Sequence, residues 1–111
     1  MLVLIAGITG MVGQPCAHHA LAKGHQVRGL GRNLDKLDAA LSQKLEGFEK
    51  ISSVYDIDAL DRAVKGVDAI ISAYTYLPEV VVEGQLLLLR AAERAGVKAS
   101  LFETSLKSHK I

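Results

Sequence analysis

Gly7, Gly10 and Gly13 recur at every third position in the run Gly7-Ile8-Thr9-Gly10-Met11-Val12-Gly13, directly after the apolar segment Leu2 to Ala6. Glycine serves where backbone must turn left-handed or come into contact with a ligand or another backbone. A loop of this kind, following a strand and opening a helix, can cradle a dinucleotide pyrophosphate. Gly7 permits the tight turn, Gly10 lets the backbone approach the phosphates, and Gly13 lets the helix pack closely on the sheet. Met11 and Val12 lead into a helix whose N-terminus offers unpaired N–H groups and the positive end of its dipole. Thr9 adds a hydroxyl, and Pro15 in the first turn sacrifices no hydrogen bond. The spacing is G-x-x-G-x-x-G rather than the G-x-G-x-x-G of the commonest dehydrogenases. Three glycines in seven residues also fit a tight structural turn that binds nothing.

A second feature lies about 20 residues further on, where NAD-specific sites place an acid to hold the ribose 2′-hydroxyl. Here the chain reads Gly29-Leu30-Gly31-Arg32-Asn33, without an acid. Arg32 can pair with a 2′-phosphate and stack on adenine, and Lys36 stands one helical turn beyond. The expected cofactor is therefore NADP(H) in preference to NAD(H); the plain alternative is that Arg32 is an ordinary exposed arginine. After the fourth apolar run come Ser72, Ala73, Tyr74, Thr75 and Tyr76, placed to border the cofactor's ribose and nicotinamide. Tyr74 and Tyr76 have no basic partner nearby in sequence and read as packing residues. His18 and His19 read as helix surface, without a metal partner at i+4. No catalytic residue and no metal ligand are assigned.

The elements that would position these residues follow a repeated phrase: an amphipathic helix, a glycine, then a short apolar strand. Gly24, Gly47, Gly66 and Gly96 stand where helices should stop in a left-handed residue. Strands are expected at Leu2 to Ala6, His25 to Leu30, around Phe48 to Ile51, Val67 to Ser72 and Lys98 to Phe102. Leu34, Leu37, Leu41 and Leu45 recur at helical spacing behind Asn33 as N-cap, and Leu60, Ala63 and Val64 do so behind Asp56 or Asp58. Val82, Leu86 and Leu89 form a stripe, broadened by Val81, Leu88, Ala92 and Ala95, which predicts a helix buried over a wide face. Such alternation predicts an α/β, Rossmann-type doubly wound parallel sheet of about five strands in the order 3-2-1-4-5, with right-handed crossovers. Its ligand belongs at the carboxyl ends of strands one and four, where the order reverses.

At 111 residues the chain suits one domain, and half its residues are apolar, which argues against disorder. A net charge of +1 gives no reason to expect a nucleic-acid surface. No apolar run approaches a membrane span; Leu86 to Leu89 is far too short. Met1 to Ala22 lacks the basic region of a signal peptide and is broken by Gly7, Gly10, Gly13 and Pro15. Cys16 is the single cysteine, which excludes an internal disulfide and points to a reducing cytoplasmic compartment.

Taken together, GITGMVGQP, the run Arg32-Asn33-Leu34-Asp35-Lys36, the run Gly66 to Ala73 and the stretch from Gly84-Gln85-Leu86 through Ala95-Gly96-Val97-Lys98 resemble the NmrA-like and isoflavone-reductase-like branch of atypical short-chain dehydrogenases. The resemblance implies NADP(H) binding through the glycine loop and Arg32. It also implies either a reductase or a non-catalytic redox sensor that binds a regulatory partner protein. Two departures stand out. Where the family often has an acid near the adenine, this chain has Ile51-Ser52-Ser53-Val54. After Lys98 the family would continue into a serine-containing loop and a substrate domain, whereas here the run from Ala99 to Thr104 leads into Ser105-Leu106-Lys107-Ser108-His109-Lys110-Ile111. The reductases' catalytic lysine would follow that point, and Lys107 and Lys110 read as a solvated tail. The expectation is thus an NAD(P)-binding domain at 1–104, truncated after its fifth strand and catalytically incomplete, with a polar tail at 105–111. An exposed fifth-strand edge is expected to pair with a protein partner or a second copy.

Overall fold

Leu2–Ala6 forms β1, the middle of a parallel sheet, and its alternating side chains divide the interior in two. Val3 and Ile5 point to one face, while Leu4 and Ala6 point to the other. The computed structural model describes residues 1–74, 78–97 and 99–102, with side chains at 1–74 and 81–97. Around β1 are arranged α1 (Gly13–Ala22), β2 (Gln26–Gly31), a 3-10 turn (Leu34–Lys36), α2 (Ala39–Lys44), β3 (Gly47–Lys50), α3 (Ile57–Ala63), β4 (Ala69–Ser72), α4 (Pro78–Ala95) and β5 (Ala99–Phe102). Four strands run β3-β2-β1-β4, all parallel, and the backbone of β5 pairs in the same direction outside β4. This is a Rossmann-like α/β sheet. Residue 98, Thr75, Tyr76 and the tail 105–111 lie outside the described residues.

Helices cover both faces. Ala17 and Ala20 of α1 and Leu41 of α2 close over Val3, Ile5 and Val27. On the opposite face Ala59, Leu60 and Ala63 of α3 and Val81, Leu88, Ala91 and Ala92 of α4 close over Leu4, Leu30 and Ile70. Each fully buried leucine or isoleucine contributes about 1.5–3 kcal/mol relative to exposure. Among the described residues no helix is long and apolar enough to cross a membrane.

Three local expectations are corrected. The leucine repeat 34-37-41-45 does not form one helix. Asn33 Oδ1 accepts from Asp35 N at 3.0 Å and caps only the 3-10 turn. The chain then extends at Leu37, and Asp38 caps a new start at α2. Two short polar side chains capture backbone amides locally and outcompete a continuous ladder. As a result Leu37 and Leu41 are buried while Leu34 is exposed. Gly24, Gly66 and Gly96 are left-handed as expected, but Gly47 is not; Leu45 leaves α2 in extended conformation and Gly47 opens β3. In α4 the buried face is narrower than predicted. Val81, Gly84, Leu88, Ala91 and Ala92 meet the core, whereas Val82 and Leu86 are exposed and Ala95 faces solvent. Gly84 explains the rotation: a Cβ there would lie 3.0 Å from Val54 Cβ, so this face approaches closest.

At the amino end of the sheet Arg28 ties three elements together. Its Nε and Nη2 donate to the two carboxylate oxygens of Glu46 at 2.9 and 3.1 Å. Its Nη1 donates to the carbonyls of Ala63 and Lys65 at 2.8 and 2.6 Å, capping the end of α3 with a cation where the helix dipole is negative. Replacing Arg28 by methionine leaves those carbonyls and Glu46 without their donor and is expected to cost about 1–3 kcal/mol in urea unfolding. The hydrogen bond from Arg28 holds the Glu46 carboxyl below its ordinary range. A carboxyl lowered in the folded state adds stability above the ordinary carboxylate range and loses it as pH falls through its folded value. Glu46→Gln should therefore flatten the acid limb of a stability–pH curve, and an unchanged limb would refute the pairing.

Gly13 sets the other end. A Cβ there would lie 2.6 Å from Ile8 Cα and would collide with the Gly7 carbonyl oxygen. Neither neighbour is a flexible side chain that could move away. Gly13→Ala should cost about 3 kcal/mol or more. Gly66→Ala, at φ 71° in open surroundings, should cost only about 1–2 kcal/mol. Equal urea midpoints for the two variants would contradict this packing argument.

Candidate functional site

The carboxyl ends of three strands converge on one cleft. Gly7 N and Ile8 N both donate to Leu30 O, at 2.9 and 3.3 Å, which folds the chain leaving β1 over the end of β2. Ala73 N donates to Ala6 O at 2.8 Å, which brings the chain leaving β4 alongside. Gly7 lies between them at φ 76°, and a Cβ on it would stand 2.7 Å from Ala73 O. Only glycine meets both the dihedral and the clearance.

The cleft has a volume of about 480 Å³ and is lined by Gly7, Thr9, Gly10, Arg32, Asn33, Lys36, Ala73 and Tyr74. It thus unites the glycine loop, the segment after β2 and the segment after β4, the three regions singled out from the sequence. Gln14 N donates to Gly10 O at 3.2 Å, and Cys16 N to Val12 O at 3.3 Å. Among the described residues no backbone carbonyl accepts from Met11, Val12 or Gly13, the amides that precede the α1 ladder. Arg32 and Lys36 are exposed cations on the rim. Among the described residues no carboxylate lines the cleft. Glycine-loop backbone and two cations lining one cleft suit an anionic ligand.

Four of the sequence-assigned residues do not line this cleft. Met11 is 90% exposed at the loop's tip, and Val12 leads into α1. Gly13 is buried against Gly7 and Ile8. Ser72 lies fully buried and accepts from Gln85 Nε2 at 3.2 Å, so its hydroxyl is turned toward α4. Tyr74 contributes to the cleft wall, yet it is buried in the core, near Gly84 of α4, as a packing residue would be.

Beyond β3, Asp56 supplies the acid nearest to Ser52 and Ser53, and it is engaged locally. Its Oδ2 accepts from Ser52 N and Oγ at 3.2 and 3.0 Å, and its Oδ1 from Ala59 N at 3.3 Å. The backbone amides of Ser52 and Ala59 hold its carboxyl below the ordinary range, as expected of a helix cap.

Sequence reasoning noted Gly29 and Gly31 only for the missing acid, but both build the site. A Cβ at Gly29 would lie 3.0 Å from Ile8 Cδ1 and 3.1 Å from Phe48 Cδ2; one at Gly31 would lie 3.3 Å from Thr9 Cγ2. The two bare positions let Ile8 and Thr9 settle across β2. Their spacing of two along a strand, hence on one face, was the available signal.

Among its relatives is the photosystem II assembly factor Ycf39 of Synechocystis sp., 31% identical over 115 residues, with 97% of this chain and 35% of that protein covered. A short-chain dehydrogenase/reductase superfamily protein from Agrobacterium tumefaciens, solved with bound NAD, is 28% identical with TM-score 0.73, covering 92% of this chain and 32% of that one. The yeast methylglyoxal/isovaleraldehyde reductase Gre2, solved with NADPH, shares the fold at TM-score 0.78 and 19% identity, over 96% of this chain and 39% of that one. The chain thus spans about a third of the length of the relatives it matches. Residues 1–111 match the NmrA-like family throughout, and it is to the NmrA-like family that this chain belongs.

Proposed function

We propose that this chain binds a nicotinamide dinucleotide, NADP(H) in preference to NAD(H), as the cofactor domain of an oxidoreductase-type protein. The observation that carries the reading is the cleft, where the glycine loop, Arg32, Asn33 and Lys36 meet. Gly7, Thr9 and Gly10 in the cleft wall would hold the pyrophosphate, at the end of α1 where the amides of Met11, Val12 and Gly13 stand. Arg32 and Lys36 take the 2′-phosphate, with Asn33 beside them, and Ala73 and Tyr74 border the nicotinamide ribose. Ser72 supports that wall from beneath. The bound group would supply a hydride donor or acceptor, and the chain's own residues bind and orient it. Relatives of this fold solved with NAD or NADPH support the cofactor class. The preference between the two rests on the cations of this chain alone.

A second reading is a module whose bound dinucleotide is sensed by a partner protein rather than turned over. It is favoured by the name of the Synechocystis relative, a photosystem II assembly factor. No side chain in the cleft is assigned a catalytic role under either reading.

Calorimetric titration with NADPH and NADH tests the proposal. NADPH should bind the more tightly, and Arg32→Ala should weaken it about 10- to 100-fold, the loss of a charge-assisted pair. NADH should change less than about threefold. Failure to bind either dinucleotide, or an Arg32→Ala loss equal for both, would overturn the assignment. Oxidation of NADPH with a panel of carbonyl and enone compounds separates the two readings: turnover supports the enzyme, and binding without turnover supports the sensing module.

A further inference from the structure

Gln14, in the first turn of α1, joins the two halves of the cleft. Its side-chain Nε2 donates to Thr9 O at 3.1 Å, in the glycine loop, and to Lys36 O at 3.4 Å, at the end of the 3-10 turn. Both partners are carbonyls, so the NH2 end of the amide must face them, and its two hydrogens match two acceptors. The Lys36 carbonyl is one of those that a short helix leaves without an internal partner at its C-terminus.

The buried Leu37 holds the turn's far end, but the turn's own side chains add little hold. Every residue from Arg32 to Lys36 is exposed, and none of Leu34, Asp35 and Lys36 is buried. Internally the turn is organised by Asn33, whose carbonyl accepts from Lys36 N at 3.2 Å and whose side chain caps Asp35 N. That order fixes its shape but not its distance from the glycine loop. Gln14 spans this distance, and its own amide is anchored to Gly10 O.

We propose that Gln14 is a positioning residue for cofactor selectivity: it sets the 3-10 turn, and with it Lys36, at the separation from the glycine loop that a 2′-phosphorylated dinucleotide requires. The inference rests on the dinucleotide reading above. Without the bridge Lys36 remains but loses its fixed place, so the effect falls on the ligand bearing the 2′-phosphate.

The test is a double-mutant cycle on the whole chain, with Gln14→Met, Lys36→Met and the double variant titrated with NADPH and NADH. Methionine keeps the length and the helix propensity of glutamine but donates nothing. Gln14→Met should lower the NADPH-over-NADH affinity ratio about 3- to 10-fold, with NADH affinity within about twofold of the parent. In the Lys36→Met background it should lower the ratio by less than about twofold, because the group it positions is gone. A ratio unchanged by Gln14→Met, an equal loss for both dinucleotides, or additive effects of the two substitutions would overturn the positioning role. A parent chain that binds but shows no preference for NADPH would overturn it too. A parent chain that binds neither dinucleotide would instead defeat the reading beneath it.

Discussion

The carboxyl end of the sheet depends on how closely the first turn of α1 lies against the residues that leave β1. At Gly13 there is no room for a single carbon beyond Cα, because the backbone of Gly7 and Ile8 occupies that space. Such contact between backbones fixes a helix against a sheet more tightly than side-chain packing can, since nothing flexible intervenes. It also determines where the loop goes. With α1 so close, Gly7 and Ile8 reach the Leu30 carbonyl, and Ile8 and Thr9 are pressed over β2. There Gly29 and Gly31 have left the surface bare, and Phe48 from β3 closes the space. Glycines far apart in sequence thus serve one geometric demand.

The opposite end of the sheet is held by charge. Arg28 binds Glu46 and the end of α3, Arg62 pairs with Glu49, and Arg94 pairs with Asp61. Asp68 Oδ2 accepts from Leu2 N at 2.7 Å, where the central strand begins. The exposed pairs contribute little individually. Their placement nonetheless has an electrostatic consequence. Glu46, Glu49 and Asp61 are engaged in ion pairs and Asp38 and Asp56 in helix caps, while among the described residues the cleft is lined by Arg32 and Lys36 with no acid in its walls. An anionic ligand in the cleft would therefore meet Arg32 and Lys36 at its wall.

The alternating fold and most of the cleft were legible in the sequence because their signals are local. A glycine loop between an apolar strand and a helix works through backbone dihedrals and helix-end amides, all set within seven residues. Arg32 was legible because a parallel strand of known length places its successor beside that loop. The glycines after α1, α3 and α4 were legible as helix stops for the same local reason. The fate of Gly47 was not, because it turned on Leu45 leaving α2 extended, and the leucine repeat concealed two competing caps at Asn33 and Asp38.

What the sequence determined by itself was the order of elements, the parallel sheet they imply and the place of the glycine loop between β1 and α1. Each follows from hydrophobic period and glycine placement over short windows. Only the tertiary structure decided which face of α4 turns inward, that Ser72 faces α4 and not the cleft, and that Gln14 bridges positions 9 and 36. These outcomes depend on which surfaces come closest once the sheet is assembled. A glycine on a helix, or an amide side chain in its first turn, carries no mark in sequence of the carbonyl or methyl group that the fold brings against it.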